Sequence, residues 1–421
     1  MNALRSSPAL VVASGHACGA VHERGRECYA QHLAAGGDRA KGWSAVAIMA
    51  ALWATDLRGR GGAGFPVLTK IKAVAAADGP RVLVANGEEG EPASVKDRYL
   101  MRARPHLVLE GMLLARRAAG ADRMVLYASD EVSLASMRAA VGERWPTGSV
   151  AAVEVFAAEP GFVSGEESAV VRAIDGGPAK PTAKPPRPFE RGVGGRPTLV
   201  LNVESLARIA LVTRSPRTDV TVTLSSGPGG AARPVLTEVE PRTRLGQLCA
   251  RFGFDAARGF LAGGFSGGLL PPTAAELPLL DTPLREAGSM LGCAAFVALG
   301  EDDCPVDAAA DVLAFFDRSN AGQCGSCVKG TGAMAGVVDR LRTGEADPDQ
   351  LERLAQWSQR LRGRGACGTL DAAATAAGSL LRHFPDEVGA HLAAPCARCA
   401  RLPRSDGATR FRVRPPDGKE S

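Results

Sequence analysis

The chain has 421 residues, of which 45% are hydrophobic and 23% charged, a composition that predicts a globular protein of about two to four domains. Its 50 basic and 45 acidic residues leave a net charge of +5, too small an excess to predict nucleic-acid binding. The sequence has no run of about 18 apolar residues, so we also expect no direct insertion into a membrane.

The N-terminus and the cysteines bear on the cellular compartment. The N-terminal segment has an apolar stretch too short for the core of a secretory signal, which predicts a cytoplasmic protein. In that compartment, ten cysteines indicate metal binding, redox chemistry or buried thiols rather than a disulfide framework.

The first half of the chain alternates predicted strands and helices. A helical pattern at 43–54 runs into a glycine-rich loop. Apolar runs then predict strands at 81–86, 123–129, 150–158 and 197–202. Apolar stripes predict helices between them at 106–119, 135–145 and 166–174. This alternation predicts an α/β domain with a doubly wound parallel sheet over residues 1–215.

Three further regions follow. Residues 216–298 contain two predicted strands, a short helix and a glycine-rich strand, which predict a small α+β domain. Residues 304–390 contain four helical patterns with short connections, which predict a helical bundle. Residues 391–421 are rich in cysteine, arginine and proline, and predict a flexible tail.

The loop "GRGGAGF" (59–65) contains four glycines in seven residues. It matches G-x-G-x-x-G, but it follows a predicted helix and not a strand, so the dinucleotide-binding context is missing. Its glycines still allow backbone N–H groups to approach an anion or a flat ring. The alternative is a flexible surface turn.

Three polar loops follow predicted strands directly. They are "NGEEGEP" (86–92), "GFVSGEES" (161–168) and "LNVES" (201–205). Loops at the carboxyl ends of strands form the ligand crevice of open α/β sheets. Any one of them alone is consistent with a solvated acidic turn, but together with the glycine loop they predict a site for a planar ligand that forms hydrogen bonds. The long irregular segment 183–197 predicts a lid or binding loop.

At these loops the sequence resembles a known family. The segments "LRGRGGAGFP", "NGEEGEPASVKDR", "SGEESAVVRAIDG", "KPPRPFERGVGGRPTLVLNVESL", "CGSCVKGTG" and "GACGTLD" stand in the order seen in the NADH-binding flavoprotein (F) subunit of respiratory complex I. Soluble hydrogenases and NAD-linked formate dehydrogenases contain relatives of that subunit. The resemblance spans about residues 45–390, and the combination of segments is far more specific than the glycine run alone.

The resemblance implies a fold and an activity. It implies a Rossmann-like domain at 1–215 that binds FMN and NAD(H), a ubiquitin-like β-grasp domain of the soluble ligand-binding type at 216–298, and a bundle at 304–390 with a [4Fe–4S] cluster in an iron–sulfur loop. In this family NADH gives a hydride to the flavin, and electrons leave singly through the cluster. The implied acceptor is a ferredoxin-like protein, another redox subunit or a quinone-linked carrier.

The resemblance also implies cofactor-binding residues, position by position. They are Gly59, Arg60, Gly61, Gly62, Gly64, Lys70, Asn86, Glu88, Glu89, Glu91, Gly165, Glu166, Glu167, Asn202 and Ser205. Among them, Lys70 and backbone amides offset phosphate or flavin charge. Glu91 and Glu167 are expected to help bind the nicotinamide and its ribose.

The expected nucleotide site departs from the family pattern. Ala73 and Arg187 stand where the family has aromatic residues that stack on the adenine of NADH, and Phe189 is a candidate replacement. Stacking of a base on an aromatic ring contributes about 1–3 kcal/mol in nucleic-acid complexes. The sequence therefore predicts a flavin site that is better preserved than the nicotinamide site.

The iron–sulfur loop departs from the family pattern as well. The resemblance assigns Cys324, Cys327 and Cys367 as cluster ligands, but Ala321 stands at the fourth ligand position. Three interpretations stay open: a cluster with an outside fourth ligand, a three-iron cluster or another metal such as zinc, and no metal at all. Cys304 is an unfavourable outside ligand because a helix of about 12 residues, about 18 Å long, separates it from the motif.

The tail contains a second C-x-x-C pair, Cys396 and Cys399. It is either a pair of metal ligands, in one interpretation the donor that completes the cluster, or incidental to a disordered segment. The other cysteines predict core or surface thiols, and no histidine is predicted to share a metal site with them.

The sequence as a whole predicts an enzyme, an FMN- and iron–sulfur-dependent NADH dehydrogenase of the complex I F-subunit type. The alternative is a degenerate subunit that does not oxidise NADH and serves as an electron relay or scaffold in a larger redox complex. Ala73, Arg187 and Ala321 are the reasons for that alternative.

Overall fold

The computed structural model describes residues 25–144, 152–216, 219–230, 234–401 and 409–414. The chain forms two compact units. The first contains the described residues up to Gly90, Val95–Thr221 and Arg414, and the second contains Glu91–Ser94 and Val222–Val413. Within these residues, no helix combines the length and the apolar character needed to cross a bilayer.

In the described residues, the first unit contains α-helices and strands that alternate along most of the chain. In chain order they are α1 (Tyr29–Ala34), α2 (Ala45–Thr55), α3 (Val67–Ala75), β1 (Val82–Asn86), α4 (Lys96–Ala103), α5 (Pro105–Ala119), β2 (Arg123–Ala128), α6 (Glu131–Arg144), β3 (Val153–Ala157), α7 (Glu167–Ile174), β4 (Thr198–Asn202) and α8 (Val203–Val212). The strands form a sheet in the order β3-β2-β1-β4, and each neighbouring pair is parallel. The predicted parallel sheet is confirmed.

The sheet is buried on both faces. Leu83 and Ala85 of β1 belong to one apolar cluster, which also contains residues of α5 and α8. Val82 and Val84 belong to a second cluster, which contains Val170 of α7. Successive side chains of a strand point to opposite faces, so an unbroken apolar run such as β1 requires helices on both sides.

The order of the strands places a crevice beside β1. The chain passes from β1 to β2 and β3 on one side and then returns to place β4 on the other side. Asn86, the last residue of β1, is in register with Asn202, the last residue of β4. The carboxyl ends of these strands are therefore the topological switch point, where open α/β sheets bind their ligands.

The second unit begins with a five-stranded sheet. Its elements are β5 (Val220–Ser226), β6 (Val235–Val239), α9 (Leu245–Phe252), β7 (Gly259–Ala262), β8 (Leu269–Leu270), α10 (Asp281–Glu286) and β9 (Ala295–Leu299). The strand order is β6-β5-β9-β7-β8, with β5 parallel to β9 and β7 antiparallel to both β8 and β9. Strand β9 is absent from the elements predicted above, because its short apolar run has no period that distinguishes a strand from a helix.

α-Helices follow this sheet in the described part of the second unit. They are α11 (Pro305–Ser319), α12 (Gly325–Thr343), α13 (Pro348–Arg360), α14 (Thr369–His383), α15 (Pro385–Ala393) and α16 (Ala397–Arg401). The four predicted helices are present as α11 to α14. Within the predicted tail, 391–421, the described residues Cys399, Phe411 and Val413 are buried.

Candidate functional site

The glycine loop 59–65 closes on itself. Arg58 and Pro66 form an antiparallel bridge, and Gly59 N donates to Phe65 O at 2.8 Å. Gly62 and Gly64 have φ of 101° and 64°, and a Cβ on either would meet no atom within 4 Å. Both backbone positions therefore face open space, and a ligand that fits against them would find no side chain in the way.

The glycine loop is attached to the carboxyl end of the sheet. Arg60 N donates to Ser205 Oγ at 2.8 Å, and Ser205 is buried in the first turn of α8. A Cβ on Gly61 would lie 3.4 Å from the Cβ of Asn202. The structure thus brings the predicted glycine loop and the predicted β4–α8 junction to one place.

The loop after β1 contacts the loop after β3. Asn86 Nδ2 donates to Gly165 O at 2.8 Å, and Gly161 N donates to Glu88 Oε1 at 3.3 Å. A Cβ on Gly165 would lie 3.1 Å from Glu88 O, so the two backbones pass closely here. These contacts join the two predicted acidic loops.

Glu88 carries an acceptor atom without a partner. Burial raises the pKa of its carboxyl group, against the opposite effect of hydrogen bonds from Ser129 and Gly161. Its Oε2 atom is shielded from water and has no hydrogen-bond partner among the described residues. A buried acceptor of this kind is costly unless a donor reaches it, so it fits a ligand that presents a hydroxyl or N–H group, as FMN does.

Two of the predicted acidic residues have partners within the protein. Glu89 accepts hydrogen bonds from Asp97 N at 3.1 Å and Arg98 N at 3.0 Å in the first turn of α4, and pairs with the Arg98 side chain. Glu91 belongs to the second unit, where it accepts from Phe265 N at 3.1 Å. Both carboxylates therefore accept hydrogen bonds from backbone amides of the protein itself.

Glu166 and Glu167 form a charged group with two lysines. Glu166 Oε2 accepts from Ala169 N at 3.2 Å and caps α7, and its other oxygen contacts Lys184. Glu167 lies 2.9 Å from Lys70 Nζ and 3.7 Å from Lys184 Nζ. Burial alone raises the pKa of Glu167, but the lysine charges outweigh it and hold that pKa below its usual value.

Lys184 is one residue that the sequence analysis missed. It lies in the irregular segment 183–197, which was predicted only as a lid or binding loop. The available signal was a lysine near the start of a long loop that returns to the sheet edge.

A buried ion network behind the site was also missed. Lys96 Nζ lies 2.7 Å from Asp97 Oδ1 and 3.2 Å from Glu204 Oε2. Asn202 Nδ2 donates to Asp97 Oδ2 at 2.7 Å, and Asn202 Oδ1 accepts from Glu204 N at 3.0 Å, which caps α8. Burial alone lowers the pKa of Lys96, but the charges of Asp97 and Glu204 outweigh it and raise that pKa. The network fixes Asn202 at the switch point.

The exposed aromatic ring at the glycine loop is that of Phe65 and not that of Phe189, the candidate named from the sequence. Ala73 offers only a methyl group, Arg187 is exposed, and Phe189 packs partly buried against the first apolar cluster. Phe65 is 46% exposed, and Lys70 Nζ lies 5.9 Å from its ring centroid. Phe65 is therefore the exposed ring of this loop, and Phe189 has no comparable free face.

The three predicted cluster cysteines come together in the second unit. Cys324 is the N-cap of α12, Cys327 lies one turn along that helix, and Cys367 precedes α14. Cys324 Sγ accepts from Ala366 N at 3.5 Å, next to Cys367. Burial raises the pKa of the Cys327 thiol to about 11, and the neighbouring Cys367 and Cys324 add to that effect.

The cysteines considered above as an outside fourth ligand lie elsewhere in the second unit. Cys304, Cys396 and Cys399 instead converge with His391, all four ligand atoms lying within 4.8 Å of one another. Cys304 begins α11, whose 15 residues extend about 22 Å before the loop that contains Ala321. The interpretation that the tail pair completes the cluster is wrong, because the tail pair lies with Cys304 at the other end of α11. The residues fit an iron–sulfur cluster with three protein thiolates.

Comparisons with known proteins agree with this arrangement. The family model described as the Nuo51 FMN-binding domain matches residues 53–211, which contain all four parallel strands. The family model described as the NADH-ubiquinone oxidoreductase-F iron-sulfur binding region matches residues 307–391, which contain the three cluster cysteines.

Similar structures come from an NAD+-reducing [NiFe]-hydrogenase. Its crystal structures in the H2-reduced and air-oxidised states superpose with TM-scores of 0.75 and 0.76, both at 30% identity. The matches cover 84% and 85% of this chain, which spans 64% and 66% of the two hydrogenase chains.

Named relatives are similar over most of their length. The mitochondrial NADH dehydrogenase [ubiquinone] flavoprotein 1 of Dictyostelium discoideum is 32% identical over 383 residues, covering 83% of this chain and 79% of the relative. The NADH-quinone oxidoreductase F 2 subunit of Rhizobium meliloti is 30% identical, covering 80% of this chain and 87% of the relative. The chain therefore belongs to the family of NADH-quinone oxidoreductase F subunits.

Proposed function

We propose that this chain oxidises NADH with bound FMN and passes the electrons through an iron–sulfur cluster to a ferredoxin-like or quinone-linked acceptor. When bound, the flavin accepts a hydride and releases electrons one at a time. The observation that carries the proposal is the buried Oε2 atom of Glu88, which has no hydrogen-bond partner in the described part of the chain and lies between polar loops at the switch point of a parallel sheet.

The residues of the first unit have distinct roles in this proposal. The open backbone at Gly62 and Gly64 lets a flat ring or phosphate approach closely. Lys70 supplies positive charge for the phosphate or reduced flavin, while Glu167 holds its ammonium group in place at 2.9 Å. Glu88 Oε2 accepts a hydrogen bond from the ligand. Asn202, fixed by Asp97, completes the edge of the crevice.

The same proposal covers domains and partners. The five-stranded sheet of the second unit is proposed as the β-grasp domain, with its boundaries at 216–298, and the following helices as the iron–sulfur bundle. Relatives are named as subunits, so we propose that this chain also works beside other redox subunits. The cytoplasmic location stays a prediction.

Anaerobic titration of the flavin-loaded protein with NADH tests the proposed reaction. We expect the oxidised flavin absorbance to fall with about one equivalent of NADH per flavin, because one hydride carries two electrons. Flavin that stays oxidised with NADH but is reduced by dithionite would support the relay alternative. A protein purified without any flavin would contradict both the NADH dehydrogenase and the flavin-dependent relay.

A pair of glutamate variants tests the observation that carries the proposal. Glu88→Ala removes the buried acceptor, so we expect weaker FMN retention during purification. Glu154→Ala is the matched control, because Glu154 lies on β3 and pairs with Arg123 at an exposed position. Equal flavin content in both variants would remove Glu88 from the flavin site.

Arg187→Phe tests the nucleotide site. It provides an aromatic ring at the exposed position where the resemblance places a base-stacking residue. We expect KM for NADH to fall by about tenfold, since stacking on an aromatic ring contributes about 1–3 kcal/mol. Steady-state kinetics with an artificial electron acceptor measures the change. Arg191→Phe adds a ring at another exposed position in the same segment, and an equal fall in its KM would show that the effect is not specific to position 187.

A further inference from the structure

A second group of metal ligands lies in the second unit, apart from the three cluster cysteines. The ligand atoms of Cys304, His391, Cys396 and Cys399 all lie within 4.8 Å of one another. His391 Nε2 is 3.4 Å from Cys304 Sγ and 3.4 Å from Cys399 Sγ. Cys304, His391 and Cys399 are buried, and Cys396 is partly exposed.

Local structure aims these side chains at one point. Cys304 is the N-cap of α11, and His391 lies in the last turn of α15. Cys396 and Cys399 stand before and within α16, so one helical turn relates them. The chain separation between Cys304 and His391 is 87 residues, which explains why sequence spacing did not reveal the group.

The orientation of His391 is fixed by the backbone. Its Nδ1 atom lies 2.7 Å from the carbonyl oxygen of Glu387, one turn earlier in α15. When Nδ1–H donates to that carbonyl, the other nitrogen, Nε2, presents a lone pair to the sulfur atoms. Histidine ligands of metals are held in this way by a hydrogen bond from the second ring nitrogen.

The spacing fits one metal ion. Tetrahedral zinc, with Zn–S of about 2.3 Å and Zn–N of about 2.0–2.1 Å, places neighbouring ligand atoms about 3.5–3.8 Å apart. A [4Fe–4S] cluster inserts several iron and sulfide atoms between its ligands and holds them further apart. Hydrogen bonding alone explains the group less well, because the single lone pair of Nε2 accepts one S–H while three sulfur atoms converge.

We propose that Cys304, His391, Cys396 and Cys399 bind a structural Zn²⁺ ion. Three thiolates and one imidazole form a closed four-ligand set, the composition typical of structural zinc sites. The ion would attach the segment after α15 to the beginning of α11 and so order the C-terminal part of the unit. Zinc has no redox chemistry in proteins, so the site serves the fold and not electron transfer.

The zinc site is separate from the iron–sulfur set. Cys304 begins α11, whereas the loop that leads to Cys324 follows its other end, about 22 Å away along the helix. The two sites therefore have different residues and different metals, and the proposal does not depend on NADH oxidation.

Elemental analysis of the purified full-length protein tests the proposal. We expect about one zinc per chain. Cys304→Ser and Cys399→Ser are expected to lose most of that zinc while retaining FMN and iron. Cys367→Ser is expected to lose iron while retaining zinc. Cys249→Ser is the matched control, because Cys249 is a buried thiol of α9 outside both groups, and it is expected to retain both metals.

Three results would overturn the zinc site. One is the absence of bound zinc in the protein without substitutions when it is expressed in zinc-supplemented medium. Another is loss of zinc from Cys249→Ser to the same extent as from Cys399→Ser. The third is full zinc content in Cys304→Ser and Cys399→Ser.

A spectroscopic measurement covers the case in which serine variants fail to fold. Protein expressed with Co²⁺ in place of Zn²⁺ is expected to show the strong visible absorption of tetrahedral cobalt bound to thiolates. His391→Cys keeps four ligands, so it is expected to retain zinc, whereas His391→Ala is expected to lose it. Cobalt-substituted protein that shows no tetrahedral cobalt absorption would contradict the site.

Discussion

The Ala321→Cys variant, purified without oxygen, is expected to contain about four irons per chain, more than the unchanged protein. Cys324, Cys327 and Cys367 already stand together, and the resemblance assigns position 321 to the missing fourth thiolate. Ala321 lies in the loop between α11 and α12 and is partly buried. Its replacement by cysteine adds only one sulfur atom to the side chain. Iron and sulfide content, together with electron paramagnetic resonance after reduction, measure the change.

A cysteine elsewhere in the same loop is the control. Gln323→Cys adds a thiol at an exposed position that the resemblance does not assign to the cluster, so we expect its iron content to match that of the unchanged protein. The zinc content should stay constant in both variants, because the zinc ligands lie at the other end of α11. Unchanged iron in Ala321→Cys would contradict the assignment of that position as the absent ligand.

The Lys96→Met variant is expected to lower the free energy of unfolding by about 3–5 kcal/mol. Lys96 is buried and lies 2.7 Å from Asp97 and 3.2 Å from Glu204. Its removal leaves the buried Asp97 carboxylate without this cation, while Glu204 keeps Arg208 at 3.5 Å. Urea unfolding followed by circular dichroism measures the loss of stability. We also expect weaker FMN retention, since the same network holds Asn202 at the switch point.

An exposed lysine and a double variant test whether the uncompensated buried charge causes the loss of stability. Lys72→Met, on the exposed face of α3, is expected to change stability by less than about 0.5 kcal/mol. Adding Asp97→Asn to Lys96→Met removes one uncompensated charge, so we expect it to recover part of the lost stability. A single Lys96→Met variant as stable as Lys72→Met would show that the network does not contribute as described.

Much of the first unit was predictable because its signals are local. An unbroken apolar run such as Val82–Ala85 predicts a strand buried on both faces, and polar residues immediately after it predict a loop at the sheet edge. The same pattern predicts the positions of Asn86 and Glu88 at the end of β1 and of Ser205 just after β4.

The roles of individual side chains were less predictable. Glu88 and Glu89 are neighbours in an acidic loop. Among the described residues, Glu88 has an oxygen without a hydrogen-bond partner, whereas Glu89 accepts from the first turn of α4. Sequence does not distinguish them, because the difference depends on where the first turn of α4 lies relative to the loop. Lys184 and Lys96 were missed for a similar reason, since their carboxylate partners are distant or become buried only after folding.

The sequence by itself determined the family and the parallel sheet, and it predicted the polar loops proposed to bind the flavin and the three cysteines proposed to bind the cluster. These depend on apolar runs, on strand-to-loop junctions and on residues close together in the chain. Only the tertiary structure decided where the remaining cysteines go. The packing of α11, α15 and α16 brings Cys304 to His391 across 87 residues, and the tail cysteines join them instead of the cluster. A metal site assembled from separate helices has no spacing in the sequence, because the fold alone sets the distance between its ligands.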